Sequence, residues 1–240
     1  MGLVERENEI LRTIGKIIEA ELDFIIVGGY AVSALARHRY SVDCDVVITK
    51  EQLEKFEDLL KKEGFTKDIE KSGFDKEYAG EFASYKKKIK NLPLMIDLLI
   101  NSLVCRNTGA AWSFNYIKKF SIEENIPGLE TFVRCKTSEK ELLIAFKIHS
   151  ARKTDVRDIV MLRENLDFQK VLLHLRRGNL EILKLQMNKI ITTLEDRKLV
   201  DSLKGVFILP VDVEGQLETT KKLIKNLLGN IQANEREENG

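Results

Sequence analysis

The stretch "IIVGGYAVSALARHRYSVDCDVVI", residues 25–48, contains the pattern that decides the fold. An apolar run, "FIIVGG" at 24–29, ends in a glycine pair, and "YAVSALAR" at 30–37 is rich in residues that favour helices. This order predicts a strand, a glycine turn and a helix. The next run, "DCDVVI" at 43–48, predicts a second strand that opens with two aspartates around one cysteine.

The sequence on both sides of this stretch predicts further helices and strands. Apolar residues at three- and four-residue spacing predict amphipathic helices at 4–20 and 49–64, the second ending at Gly64. Short apolar runs separated by Gly, Asn and Pro predict three strands between 65 and 100. The pattern is least regular over 101–137, where one strand is predicted near 130–136.

From Ser138 onward the pattern is helical. Ser138 and Glu141 have the spacing of a capping box, and helical periodicity continues to about residue 234, with breaks near Gly178 and at 205–215. We therefore predict an α/β (α+β) fold class, with a core at 1–137, a C-terminal helical domain at 138–235 and a disordered tail at 236–240.

Composition limits the possible partners. A chain of 240 residues that is 43% hydrophobic, with only three prolines, can bury a sizeable core, and its length favours two domains. The 39 Lys and Arg residues balance 38 Asp and Glu residues, so the net charge is +1. This balance excludes an overall basic field, and any polyanion would have to be bound by a local cluster of charges.

The cysteines and the terminal sequence predict a soluble, cytoplasmic protein without membrane association. Cys44, Cys105 and Cys135 are far apart and form no CxxC or Cys/His cluster, which argues against a disulfide framework and a zinc site. The N-terminus "MGLVERENEI" is too charged for a signal peptide. The longest apolar run, "LPLMIDLLINSLV", is too short to span a bilayer and contains an aspartate.

Three aspartates are the candidate metal ligands. Residues two apart on a strand point to the same face, so Asp43 and Asp45 project side by side. Asp97 lies within the apolar run "LMIDLLI", where an isolated ionised carboxylate would be very costly to bury. If the strand of Asp97 lies beside the strand of Asp43 and Asp45, three carboxylates converge, and their natural partner is Mg²⁺ or Mn²⁺.

The glycine turn is the candidate phosphate site. Gly28 and Gly29 let backbone N–H groups approach an anion closely, and the helix that follows adds its positive N-terminal end. Arg39 and Ser41 either contact the phosphates or occupy an exposed loop. Metals held by such carboxylates can activate an attacking oxygen and stabilise a leaving pyrophosphate, so the whole pattern predicts phosphoryl transfer from a nucleotide.

Two motifs resemble known families. "VGGYAVSALARHRYSVDCDVVI" followed by "MIDLLI" resembles the nucleotidyltransferase superfamily of DNA polymerase beta type. "ELLIAFKIHSARKTDVRDIVML" is similar to the helical motif of the AbiEii-like toxin nucleotidyltransferases. The resemblance covers about residues 22–162, and it implies a mixed-sheet nucleotidyltransferase core that uses an NTP as substrate and Mg²⁺ or Mn²⁺ as cofactor.

The resemblance also implies a role for individual residues. Asp43, Asp45 and Asp97 match the catalytic metal-binding triad. If the protein is an enzyme, we expect Asp97 to complete the metal site that orients and activates the nucleophile, and it is the candidate acceptor of the nucleophile's proton. Gly28 and Gly29 match the phosphate-binding turn. The remaining matches are Lys147, which would contact nucleotide phosphate, and the aspartate pair Asp155 and Asp158, for which helix-capping salt bridges are the alternative. In this chain Thr154 stands where the family often has Lys or Arg before the first aspartate of that pair.

The acceptor is less well determined by the sequence. AbiEii-like relatives imply transfer to RNA or protein and a cognate antitoxin, whereas a small-molecule, antibiotic-type acceptor and a catalytically inactive binding module are the alternatives. The cluster "YKKKIK" at 85–90 predicts either a charged strand edge, which we favour, or a patch for a polyanionic acceptor. Strand alternation would place Lys86, Lys88 and Lys90 on one face and Lys87 on the other, so that at least one side borders the metal cleft.

Overall fold

Two units make up the chain in the computed structural model, which describes residues 2–206 and 213–238. Unit 1 contains the chain up to Val104 together with Ala111–Glu139, and unit 2 contains Cys105–Ala110 and the chain from Lys140 onward. The assignment of 105–110 to unit 2 differs from the continuous domains predicted at 1–137 and 138–235. The disordered tail predicted at 236–240 stays a prediction for residues 239 and 240, which lie outside the described part of the chain, whereas residues 236–238 belong to the last helix.

A mixed sheet forms the centre of unit 1. The strands are β1 (Ile25–Val27), β2 (Asp43–Ile48), β3 (Thr66–Lys71), β4 (Glu81–Ile89), β5 (Leu92–Ile100), β6 (Ser102–Cys105), β7 (Ala110–Ser113), β8 (Ser121–Pro127) and β9 (Phe132–Ser138). Seven of them form one sheet in the order β3-β4-β5-β2-β1-β9-β8, and β6 pairs with β7. β2 is parallel to β5 and β1 to β9, while the other described pairs of the large sheet are antiparallel. The mixed-sheet α/β fold class is therefore confirmed.

Most helices follow the predicted pattern, but one that was not predicted lies within the irregular stretch 101–137. They are α1 (Gly2–Glu19), α2 (Gly28–Leu35), α3 (Leu53–Lys62), α4 (Phe114–Lys119), α5 (Lys140–Ser150), α6 (Lys153–Leu162), α7 (Phe168–Leu175), α8 (Leu180–Leu194), α9 (Arg197–Val206) and α10 (Val213–Glu238). A short 3-10 turn precedes α3, and Gly64, with φ +83°, follows it. None of the helices among the described residues is long and apolar enough to cross a membrane.

The first helix covers one face of the sheet. Its apolar stripe, which includes Ile10 and Ile14, is fully buried, and on the same side Lys87 of β4 donates to Glu9 of α1 at 2.7 Å. The side chains of β2 and β5 that alternate with the aspartates point to this face and are completely buried. They are Cys44, Val46, Ile96 and Leu98. Each such side chain contributes about 1.5–3 kcal/mol through burial, so the face opposite the aspartates anchors both strands.

The lysine-rich strand is not an edge strand. β4 lies between β3 and β5, so the predicted exposed edge is wrong for Tyr85 and Lys86, which pair with β3, whereas residues 87–89 extend past β3 and pair with β5 alone. Lys90 also departs from the predicted alternation, because it lies in the β4–β5 turn at φ +48° and pairs with Glu5 of α1. Only Lys86 and Lys88 therefore share the face predicted for three lysines.

Unit 2 is helical, as predicted. α5 packs against α6, α7 and α8, and α8 begins after Gly178 (φ +64°), with the Asn179 side chain accepting from the Ile182 N–H at 3.0 Å. The predicted capping box does not form, because Ser138 is the last residue of β9 and α5 begins at Lys140. Of the break predicted at 205–215, residues 207–212 lie outside the described residues.

Candidate active site on the central strands

Parallel pairing of β2 with β5 brings two of the predicted aspartates together. Asp45 lies directly opposite Asp97 in the register, and Asp43 lies opposite Met95. Paired residues in neighbouring strands point to the same face, so Asp43, Asp45 and Asp97 share one face of the sheet. All three are partly accessible, whereas the residues that alternate with them are buried. The neighbouring strands predicted from the sequence are thus present.

Asp97 lies in an unfavourable setting for a charge. Burial raises the pKa of its carboxyl, repulsion from Asp43 raises it further, and a hydrogen bond from Ser84 opposes both effects. Ser84 Oγ of β4 donates to Asp97 Oδ1 at 2.6 Å. The carboxylate is therefore held on one oxygen, while burial and Asp43 keep its pKa above the usual value.

The glycine turn lies against the same group of residues. Gly28, the first residue of α2, has φ +64°, and a Cβ at this position would overlap the Asp45 carboxylate. A Cβ on Gly29 would lie 2.5 Å from Ser41 Oγ and 3.0 Å from Arg39 Nη2. Only glycine allows this approach at both positions, and a positive φ favours glycine at the first.

Arg39 and Ser41 are held in place over this turn. Ser41 Oγ donates to the Asp43 carbonyl at 3.1 Å, and the Arg39 N–H donates to Ser33 Oγ of α2 at 3.3 Å. A guanidinium, a hydroxyl and the N-terminal end of α2 are therefore adjacent, which is an arrangement suited to an anion such as phosphate.

The donor set of this site fits a hard divalent cation. Carboxylate oxygens are the preferred ligands of Mg²⁺ and Mn²⁺, and the three aspartates occupy neighbouring positions on one face. Within residues 2–206 and 213–238, no three Asp, Glu, His or Cys side chains are grouped closely enough to hold one ion. Metal binding would therefore require the three side chains to rotate towards one another from their positions on the two paired strands.

The second predicted motif forms a buried ion cluster within unit 2. Lys147 Nζ of α5 contacts Asp155 Oδ1 at 3.1 Å and Asp158 Oδ2 at 2.8 Å, and all three side chains are almost fully buried. The Arg152 backbone N–H and Nε donate to Asp155 Oδ2 at 3.1 and 2.8 Å. Burial opposes ionisation of Asp155, but the hydrogen bonds from Arg152 and the attraction of Lys147 outweigh it and lower its pKa. The contact of Lys147 with a nucleotide stays a prediction.

Two lysines of β4 lie on the face of the sheet that carries the three aspartates, the carboxylate face. Lys86 of β4 lies opposite Met95 of β5, which in turn lies opposite Asp43 of β2. Lys88 lies opposite Pro93, one step further along the same face, and its side chain is exposed. Lys86 Nζ lies 3.9 Å from Asp68, at the outer limit of an ion pair. Two lysines thus border the carboxylate face on one side.

Ser84 is the site residue that the sequence did not reveal. It lies in "EFASYKKK", where a serine between an alanine and a tyrosine has no distinguishing feature. Only the antiparallel register of β4 and β5, which places Ser84 opposite Asp97, gives it a possible partner. If the pairing of β4 with β5 were known, the alternation of side chains along β4 would place Ser84 on the same face as Asp97.

Several solved structures resemble this chain. JHP933 from Helicobacter pylori is 13% identical, with a TM-score of 0.47, over 98% of this chain and 94% of that chain. ANT(2″)-Ia in complex with adenylyl-2″-tobramycin is 16% identical, with a TM-score of 0.47, over 75% of this chain and 95% of that one. The lincosamide antibiotic adenylyltransferase LnuA, lincomycin-bound, is 17% identical, with a TM-score of 0.45, over 67% and 98%.

No family model matches the chain, and no curated protein matches it. At identities of 13–17% and TM-scores below 0.5, the structural likenesses carry no argument about activity. The functional proposal therefore rests on the residues of the site.

Proposed function

We propose that this protein is a metal-dependent nucleotidyltransferase that moves a nucleoside monophosphate from an NTP to an acceptor hydroxyl and releases pyrophosphate. The observation that carries this proposal is the register of β2 and β5, which places Asp45 beside Asp97 and Asp43 on the same face. The glycine turn that closes around Asp45 adds an anion-binding element to the same place. Phosphoryl transfer from a nucleotide requires carboxylates that hold a cation, and it requires phosphate-binding groups beside them.

Each element of the site has a role in this reaction. Asp43, Asp45 and Asp97 would hold Mg²⁺ or Mn²⁺, which when bound supplies Lewis acidity and neutralises phosphate charge. The N–H groups of Gly28 and Gly29 would bind the triphosphate. The groups above this turn, Arg39 Nη2 and Ser41 Oγ, would orient the phosphates from the other side.

Asp97 is the proposed proton acceptor. The acceptor oxygen attacks the α-phosphorus, the bond from that phosphorus to the bridging oxygen breaks, and pyrophosphate leaves with the bonding electrons. The proton of the acceptor hydroxyl passes to the Asp97 carboxylate. Burial raises the pKa of this carboxyl, which makes it a better base than an exposed aspartate.

The acceptor is proposed to be a macromolecular polyanion, with RNA as the first candidate. Lys86 and Lys88 support this choice, because they extend the carboxylate face in the direction of the β4–β5 turn. Lysines at such a place would hold phosphates of an acceptor without contributing to the reaction. A toxin role and a cognate antitoxin stay predictions from the sequence resemblance.

The test of the proposed function is transfer of the nucleoside monophosphate to an acceptor. Purified protein is incubated with each of the four α-labelled NTPs, Mg²⁺ or Mn²⁺, and separate pools of RNA, protein and small hydroxyl compounds. We expect label to pass to one pool in a metal-dependent manner, and Asp97→Asn to abolish the transfer. Asp75→Asn is the matched control, because Asp75 is also a nearly buried aspartate held by a serine, Ser102, and it lies outside the site.

Two results would contradict the proposal. Equal transfer by Asp97→Asn and the unsubstituted protein would exclude the assigned carboxylate. Binding of NTP that is independent of metal and unaffected by Asp43→Asn with Asp45→Asn would indicate a nucleotide-binding module instead of an enzyme.

A further inference from the structure

We propose that Ser84 is a positioning residue that sets the metal affinity of the site by fixing the Asp97 carboxylate. This inference rests on the proposed function, because it assumes that Asp97 ligates a divalent cation. It concerns a residue for which the sequence motifs suggest no role.

The position of Ser84 is determined by the sheet. β4 is hydrogen-bonded on both sides, to β3 and to β5, so the backbone at Ser84 is held rigidly. Ser84 lies opposite Asp97 in the β4–β5 register, and its side chain is 2% exposed. On the other side Ser84 is paired with Ile69, whose side chain has no polar atom. The hydroxyl therefore turns towards Asp97.

The hydrogen bond restricts the orientation of the carboxylate. Ser84 Oγ donates to Oδ1 of Asp97 at 2.6 Å, which is the length typical of a hydroxyl that donates to a charged carboxylate. Fixing Oδ1 limits rotation of the carboxylate plane and leaves Oδ2 to ligate a cation. Residues that orient a metal ligand in this way typically change metal affinity by about 10- to 100-fold when they are removed.

The surrounding charges make this contact more important. Asp97 is partly buried and repelled by Asp43, and Ser84 is the hydrogen-bond donor that opposes both effects. Without that donor the carboxylate would be free to turn away from its neighbours, and this change removes a ligand from the site. Ser84 thus acts through Asp97 and needs no contact with the nucleotide.

A pair of matched serine variants tests the inference. Ser102 of β6 is also 2% exposed, and its hydroxyl donates to Asp75 Oδ2 at 2.5 Å, away from the candidate site. Mn²⁺ binding is measured by electron paramagnetic resonance, which reports free Mn²⁺ directly. We expect Ser84→Ala to weaken Mn²⁺ binding by about 10- to 100-fold, Ser102→Ala to leave it unchanged, and Ser84→Thr to restore it.

The possible outcomes are distinct. Equal Mn²⁺ affinity in Ser84→Ala and the unsubstituted protein overturns the inference and leaves the proposed function intact, as does equal weakening by Ser102→Ala. Failure of the unsubstituted protein to bind Mn²⁺ overturns the proposed function together with the inference. Should Ser84→Ala not fold, Ser84→Cys replaces it, because cysteine keeps the shape with a much weaker donor and carries the same expectation.

Discussion

Asp97 in unit 1 and Asp155 in unit 2 are both aspartates withdrawn from water, but their pKa values move in opposite directions. Burial and repulsion from Asp43 raise the pKa of Asp97. Burial acts in the same sense on Asp155, but Arg152 and Lys147 outweigh it and lower the pKa. Cations of the chain itself neutralise Asp155, whereas Asp97 lies near a second carboxylate, that of Asp43.

This difference separates a structural cluster from a candidate active site. The Lys147 cluster ties α5 to α6 within unit 2, and its charges satisfy one another. The aspartates of β2 and β5 gather negative charge beside a glycine turn, and we propose that they bind a cation from outside the chain. Five measurements can break or sharpen this comparison.

Removal of Lys147 should have the largest effect. Lys147→Met leaves two buried carboxylates without their central cation, and we expect the free energy of unfolding to fall by about 3–5 kcal/mol in urea denaturation. Lys184→Met is the control, since Lys184 pairs with the exposed Glu181 at 2.7 Å, and such a pair contributes about 0.5 kcal/mol. A loss below about 1 kcal/mol for Lys147→Met would show that the cluster is not a structural tie.

His149 should make unit 2 sensitive to mild acid. Its Nδ1 lies 2.8 Å from Thr108 Oγ1 and its Nε2 lies 3.1 Å from the Leu175 carbonyl, so the neutral ring donates through Nε2. Burial, with a further contribution from Arg177, lowers the pKa of His149 to about 4 from 6.5. The unfolded chain therefore binds a proton below pH 6.5 that the folded chain rejects until about pH 4.

Because the unfolded chain binds the His149 proton at a higher pH than the folded chain, acid lowers the free energy of unfolding. Stability is full above pH 6.5 and falls by about 3 kcal/mol as the pH decreases to 4. Urea denaturation at intervals between these values measures the slope. His149→Gln should lower stability at all pH values and flatten the slope, and an unchanged slope in that variant would assign the effect to other groups.

Gly28 should be more sensitive to substitution than a glycine of similar backbone conformation. Gly28→Ala adds a clash with the Asp45 carboxylate to the cost of a positive φ, and we expect a loss of about 2–3 kcal/mol with weaker NTP binding. Gly73 has φ +76° with open space around it, so Gly73→Ala should cost about 1 kcal/mol and leave NTP binding unchanged. Equal effects of the two substitutions would remove the evidence for a close approach.

The lysines on the carboxylate face should affect binding rather than stability. Lys86→Ala with Lys88→Ala should change the free energy of unfolding by less than about 0.5 kcal/mol. The same variant should weaken RNA binding and reduce the slope of log affinity against log salt by about 2, with NTP binding intact. Lys61→Ala with Lys62→Ala removes the same charge from α3 as a control, and equal slopes in the two variants would favour a small-molecule acceptor.

The sequence predicts local features of this protein well and long-range ones only in part. The glycine turn and β2 follow from short patterns, and the placement of Asp97 beside Asp45 follows from the cost of burying a lone carboxylate. The internal position of β4 and the turn at Lys90 could not be predicted, because strand order and positive φ angles depend on distant contacts. The partnership of Ser84 with Asp97 depends on the same register.

The central claim is that the aspartates of β2 and β5 are arranged for an external cation, and Asp97→Asn tests it most directly. Thermal unfolding is measured with and without Mn²⁺. In metal-free buffer we expect Asp97→Asn to be at least as stable as the unsubstituted protein, because it removes the repulsion from Asp43 and the introduced amide oxygen can still accept from Ser84. Added Mn²⁺ should stabilise the unsubstituted protein and have little effect on the variant. Equal stabilisation of both proteins by Mn²⁺, or a large loss of stability in the metal-free variant, would contradict the account.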